Sequence, residues 1–204
     1  MTRPGLRSDL GSTLPIYIWL TGILLFAAFA FFAFAQAASA RNGAQSAADA
    51  AALAAAQDAR DELIERLEGA IGAEDDWLDW LDGDKFEGIG TTATAAAQEL
   101  AADNDSTVQG AAQPTTVNSL PGFKVAVKTN YTVGDSIIPG TETKHANADA
   151  TAVIEPRCDF DVDADPAEPI TLDCDGEPVD IDPEDFDLDD LPDASVLFSV
   201  HLAE

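Results

Sequence analysis

Hydrophobic and polar positions divide this chain into unlike stretches. From Pro15 to Ala35 almost every side chain is apolar, and no charged residue occurs between Asp9 and Arg41. A stretch without a polar face predicts a helix whose apolar surface runs all the way round. Its length matches the ~20 residues a helix needs to cross a bilayer. Tyr17 and Trp19 stand near its start, where amphipathic aromatic rings favour the headgroup region. From Arg41 to Gln57 alanine dominates and proline is absent, so helix should continue. Asp58 to Ile71 then turns amphipathic. Leu63, Leu67 and Ile71 recur four apart with Ile64 alongside, while Asp61, Glu62, Glu65, Arg66 and Glu68 take the other face. The small-residue face from Ala47 to Ala56 suits two uses equally: a spacer helix, or close approach by another helix.

The next stretch, from Gly72 to Gly122, reads as loops and short helices. Asp75 and Asp76 are placed to cap a turn that sets Trp77, Trp80 and Leu81 on one face. That cluster is expected to cover the edge of the core in preference to docking a partner. Thr91 to Leu100 is Ala-rich and helical in pattern. Beyond it the period changes to two. Phe123 to Thr129 predicts a strand that Tyr131 to Val133 extends, Ala146 to Glu155 a second, and Ser195 to Leu202 a third. Gly134-Asp135 and Pro139-Gly140 supply turn chemistry between the first two.

Charge separates the ends. The net charge is -28, from 38 acidic and 10 basic residues. Residues 41–204 hold 37 of the acids and eight of the basic residues, while Arg3 and Arg7 precede the apolar stretch. So acidic a surface repels phosphate backbones, which excludes nucleic acid as a partner. Cations kept at the N-terminal end orient it towards the cytoplasm and place the residues beyond Arg41 outside. A cleaved secretory signal is the alternative, because Ala35-Gln-Ala37 and Ala38-Ser-Ala40 both have small-x-small spacing. The apolar core is longer than the ~7–15 residues of a signal, which favours a retained anchor.

From Asp159 onward there are seventeen acids and no Lys or Arg. Starting at Asp159, EF-hand spacing would need Gly at Ala164 and Glu at Ile170, so it fails. The segment is therefore read as solvated and self-repelling, with no cofactor expected and Ca²⁺ kept as the weaker alternative. Cys158 and Cys174 flank a Pro-containing acidic loop in the exported part, without a Cys-x-x-Cys motif, and read as a disulfide. His145 and His201 are isolated, and no nucleophile motif, phosphate loop or metal-ligand cluster specifies catalysis. An enzyme is not expected.

The short polar N-terminus, Gly11-Ser12, the long apolar helix, and then Arg41-Asn-Gly-Ala-Gln-Ser-Ala-Ala-Asp-Ala-Ala-Ala-Leu resemble the TadE/TadG-like proteins of Flp (tight-adherence) pilus assembly. The form is similar to TadG-related proteins of high-GC Gram-positive bacteria. Arg41, Gln45, Ala47, Ala48, Asp49 and Leu53 carry the most specific part, and the resemblance covers roughly residues 7–60. It implies a pseudopilin-like subunit in the cell membrane whose partners are the bilayer and other Tad/Flp membrane proteins. It also implies a possible prepilin-type cut after Gly11. Counting from Ser12, the family's Glu-Tyr falls on Ile16 and Tyr17, so the tyrosine matches and the docking glutamate is missing. A leader that stays attached is the expectation.

The fold class expected is α+β: one transmembrane helix continuing into an Ala-rich stalk helix, then a small extracytoplasmic domain with an antiparallel sheet and an acidic C-terminal segment. The divisions are a cytoplasmic N-terminus (1–13), the transmembrane helix (14–38), the stalk (39–72), a helical and loop region (73–106) and the acidic β-rich domain (107–204). The alternative function, from a different class, is an exported ion-binding or adhesive module that borrows a signal-anchor.

Overall fold

The computed structural model describes residues 13–71, 73, 77–81, 85–134, 143–161, 164–187 and 191–203. Helix α1 runs unbroken from Leu14 to Ala70, 57 residues and about 85 Å at 1.5 Å per residue. Pro15 sits in its first turn, where a missing N–H costs no hydrogen bond. The transmembrane and stalk segments expected from sequence are thus one continuous rod. Its halves meet different surroundings. Every large apolar side chain from Leu14 to Phe34 is exposed, whereas Ala44, Ala47, Ala48, Ala51, Ala52, Ala55, Ala56, Ala59, Leu63 and Leu67 are fully buried.

What buries them is the rest of the chain. Helix α3 (Ala93–Asp103) lies against α1 through Ala93, Ala97 and Ala101, a four-residue repeat of methyl groups. A five-stranded antiparallel sheet covers α1 from another side. Its centre is β3 (Leu120–Thr129), paired along one edge with β1 (Ser106–Val108) and β2 (Gln113–Val117) and along the other with β4 (Asn147–Pro156). Strand β8 (Phe198–Leu202) then pairs with β4. Register places Phe123 opposite Ala152 and Val125 opposite Ala150, so one face carries the buried row that packs on the alanines. Alanine is needed there because two neighbours crowd one helix, and a longer side chain would hold the layers apart. Of the two uses open to the small-residue face, close helix approach is the one realised, by α3 of the same chain.

The strands expected over Phe123–Thr129 and Ala146–Glu155 are β3 and β4. Three details differ from expectation. Tyr131 to Val133 does not extend β3, since the chain turns back towards α1 after Asn130. Ser195 to Leu197 belongs to the short helix α4 (Ala194–Leu197), which leads directly into β8. The stretch before Gly122 holds β1 and β2 as well as helix. Asn118 and Ser119, with φ of 51° and 70°, make the two-residue turn that lets β2 fold onto β3.

The acidic C-terminal segment is a larger correction. It is not wholly a solvated tail: β5 (Cys158–Asp159), β6 (Ile170–Cys174) and β7 (Glu177–Ile181) form a second antiparallel sheet. Ile170, Leu172, Cys174 and Ile181 are buried while the acids between them face water. The Asp175-Gly176 turn, both residues at positive φ, closes β6 on β7. Trp77 is fully buried beside Leu78 and Leu81 of α2 (Leu78–Leu81), and its indole N–H donates to Pro166 O at 2.9 Å. The tryptophan cluster therefore belongs to the core. Asp75 and Asp76 lie outside the described residues.

Candidate functional site

The site to be explained is the surface of α1 itself. Fourteen large apolar side chains between Leu14 and Phe34 are exposed, Trp19 at 74% and Phe31 at 77%. Burying such a side chain is worth about 1.5–3 kcal/mol, so leaving fourteen in water forgoes roughly 20–40 kcal/mol. That exceeds the ~5–15 kcal/mol of a whole domain's stability. This half of the helix is built to be covered by something other than the chain's own domain. It is long and apolar enough to cross a membrane.

The domain closes on α1 just past that surface. Gln36 is the first polar side chain after the apolar run, and Gly134 lies beside its amide. Two turns on, Gly43 leaves room for the Tyr131 ring, whose hydroxyl occupies the place a Cβ would take. The segment carrying Tyr131 is tied down from within. Thr129 Oγ1 donates to Tyr131 O at 2.7 Å, and the Val133 N–H donates to Lys144 O at 2.9 Å.

Farther along the rod, two carboxylates of α1 hold the start of α3. Glu62 Oε2 accepts from the backbone N–H groups of Gly90 and Thr91 at 2.8 and 2.9 Å and from Thr91 Oγ1 at 3.2 Å. Its Oε1 accepts from Arg66 at 2.8 Å, and Asp58 accepts from Thr92 Oγ1 at 2.8 Å. The Arg66 guanidinium, helped by these donors and opposed by partial desolvation, holds the Glu62 carboxyl below its ordinary pKa. Sequence showed Glu62 only as part of the polar face of an amphipathic helix and assigned Asp58 to neither face. Their partners are about thirty residues away and carry no local signal.

The residues singled out from sequence fall in three places. Arg41 is exposed, Gln45 donates to Asp49 at 2.8 Å one turn on, Ala47 and Ala48 are core, and Leu53 is half-buried against it. Tyr17 is exposed on the apolar half. Gly11 and Ser12 lie outside the described residues. Cys158 and Cys174 are a register pair of β5 and β6 and form a disulfide. Arg157 beside it donates to Asp175 Oδ2 at 2.7 Å. Among the described residues no group of three His, Cys, Asp or Glu side chains is placed to hold a metal ion.

The apolar half of α1 and the alanine face that follows it are also the part of the chain that a family comparison matches. Residues 11–58 match the family model described as "Putative Flp pilus-assembly TadE/G-like". The TadE/G-like match spans the exposed half of α1 and the buried alanines up to Asp58, and it implies a role in Flp pilus assembly. Helix α3, both sheets and the disulfide lie beyond it. No curated protein and no solved structure matches the chain.

Proposed function

We propose that this chain is a membrane-anchored, pseudopilin-like subunit in assembly or surface display of Flp-type pili. Residues 14–38 cross the membrane, residues 1–13 stay in the cytoplasm, and the acidic domain lies outside. It works by helix packing and domain contacts, without catalysis. The observation that carries this reading is the change of surface along α1 at Gln36, fully apolar before it and core-forming after it. Pro15 to Phe34 is 20 residues, about 30 Å of helix, equal to the hydrocarbon thickness of a bilayer. Arg3 and Arg7 supply the cytoplasmic cations that orient it. Other Flp-assembly membrane proteins, with apolar helices of their own, are the partners that fit the lipid-facing half.

The position of Ile16 refines the role. A cut after Gly11 would leave a free ammonium at Ser12, at the mouth of the apolar helix. That charge needs water or a carboxylate, and Ile16 offers neither. The chain therefore acts as a fixed anchor or minor subunit with its leader attached, not as the repeating filament pilin.

Carbonate extraction, protease treatment of intact cells and intact-mass measurement of detergent-extracted protein test this together. The protein should stay in the membrane fraction, its domain should be cut from outside, and the mass should include Arg3 and Arg7. A dominant species beginning at Ser12 would make it a filament subunit. One beginning after Ala37 or Ala40, released by carbonate, would overturn the anchor.

A further inference from the structure

Eight basic residues lie beyond the apolar run, in company with 37 acids. Five of them are matched locally: Arg60 with Asp61, Arg66 with Glu62, Lys85 with Asp79, Lys124 with Asp149 and Arg157 with Asp175. The other three, Arg41, Lys128 and Lys144, make no ion pair among the described residues. Arg41 and Lys144 lie at the end of the domain where α1 emerges, and Lys128 stands three residues before Tyr131 on β3, on the face away from α1.

The contacts that gather them are specific. Arg41 is exposed on α1 between Gln36, beside Gly134, and Gly43, beside Tyr131. Lys144 accepts the Val133 N–H through its carbonyl, one residue from Gly134. Lys128 is in the last register pair of β3 and β4, opposite Asn147, and precedes the Thr129 that binds Tyr131. His145, on the same loop, is held with Nδ1 against Thr129 O at 2.7 Å. Among the described residues Asp105 is an acid at this end, its carbonyl accepting the Asn130 N–H; Asp135 and Glu142, between Gly134 and Lys144 in sequence, lie outside the described residues.

We infer that Arg41, Lys128 and Lys144 form a cationic collar that binds the headgroups of anionic phospholipids where α1 enters the bilayer. This rests on the membrane-spanning reading of α1. With Phe34 at the hydrocarbon edge, Arg41 Cα stands about 10 Å above it. The headgroup layer is ~5–7 Å deep and the Debye length is ~8 Å in physiological salt, so the Arg41 charge lies within reach, while Lys128, about 10 Å farther out than Tyr131 at ~3.3 Å per residue, acts as the outer member. Side chains of a helix lean towards its N-terminus, and here that direction is the membrane. The collar also answers an electrostatic problem. A domain this acidic is repelled by an anionic leaflet, and the three unmatched cations are placed at the surface that must approach it.

The test uses the full chain in nanodiscs of phosphatidylcholine containing about 5% spin-labelled phosphatidylglycerol or spin-labelled phosphatidylcholine. Each near-surface cation strengthens association with anionic lipid about fivefold, so the wild type should prefer labelled phosphatidylglycerol by fivefold or more. Arg41→Gln/Lys128→Gln/Lys144→Gln should bring the preference to unity or below. Lys124→Gln/Arg157→Gln, which removes two cations matched elsewhere, should leave it intact. Soluble glycerol phosphate in excess should not compete, which separates a lipid headgroup from free phosphate. Absence of preference in the wild type, or preference surviving the triple substitution, overturns the collar. Wild-type protein that carbonate strips from vesicles overturns the membrane reading instead.

Discussion

Glu62→Ala and Glu62→Gln ask whether the carboxylate that joins α1 to the start of α3 is a stabilising device or a surface charge. Its side chain is 15% exposed, against 45% for Arg66, so the ion pair itself is screened and contributes no more than ~0.5 kcal/mol. The larger part comes from the N–H groups of Gly90 and Thr91, which have no helical partners of their own just ahead of α3. Hydrogen bonds to a charged group are worth about 1.5–3 kcal/mol, with little additivity between adjacent donors. Glu62→Ala should therefore cost about 2–3 kcal/mol. Glu62→Gln keeps an acceptor and should cost about 1 kcal/mol. The sign with pH comes from the lowered pKa: ionised Glu62 contributes its full stabilisation above the ordinary carboxylate value of ~4.3, and loses it as pH falls through the lower folded value. The wild-type advantage over Glu62→Gln should be full at pH 7 and shrink below about pH 4.3. Comparing the two proteins cancels the titration of the many other acids. Urea unfolding of full-length protein in detergent, followed by tryptophan fluorescence at each pH, reads the difference. An advantage that stays constant from pH 7 to pH 3, or an alanine variant within ~0.5 kcal/mol of wild type, would refute the argument.

Two further outcomes are expected. Cys174→Ser should lower stability by about 3 kcal/mol, the loop-entropy value for a separation of 16 residues, and folded, unreduced wild type should show no alkylatable thiol at Cys158 or Cys174. Gly122→Ala should destabilise by ~2 kcal/mol or more in the same urea assay, because its Cβ would collide with the Ala152 carbonyl and the Val153 backbone, which cannot swing aside; a neutral result would show that β3 and β4 separate more easily than their register implies.

How legible each part was depended on how far away its partner lies. The apolar run, the helical continuation and strands β3 and β4 are local patterns of composition and period, and the structure has all of them. The use of the alanine face by α3 was one of two equal readings, because a run such as Ala50-Ala51-Ala52 looks the same packed or bare. Strands β6 and β7 were hidden by charge. The alternation of Ile170, Leu172 and Cys174 and the Asp175-Gly176 turn form a hairpin signal, but seventeen acids weigh the region towards a solvated reading. The Glu62 clamp depends on Gly90 and Thr91, and the collar on joining Arg41 to Lys128 and Lys144 across a fold. No local window contains those pairs.

A single helix with two surfaces also constrains how the proposed subunit would work. A break in α1 at Gln36 would leave four backbone N–H and four C=O groups without helical partners, which in the proposed anchor is the depth where lipid gives way to water. The unbroken ladder avoids that, and it carries the exposed apolar half and the packed half on one continuous helix. In the proposed role, tilting the anchor would tilt the sheet with it, because the alanine face beyond Gly43 is packed from two sides. Contacts made by the proposed lipid-facing half would then set the orientation of the acidic domain, and contacts made by the domain would set the tilt of the helix. Coupling in both directions would need no moving part, which suits the proposed role of a subunit that holds neighbours at a fixed geometry.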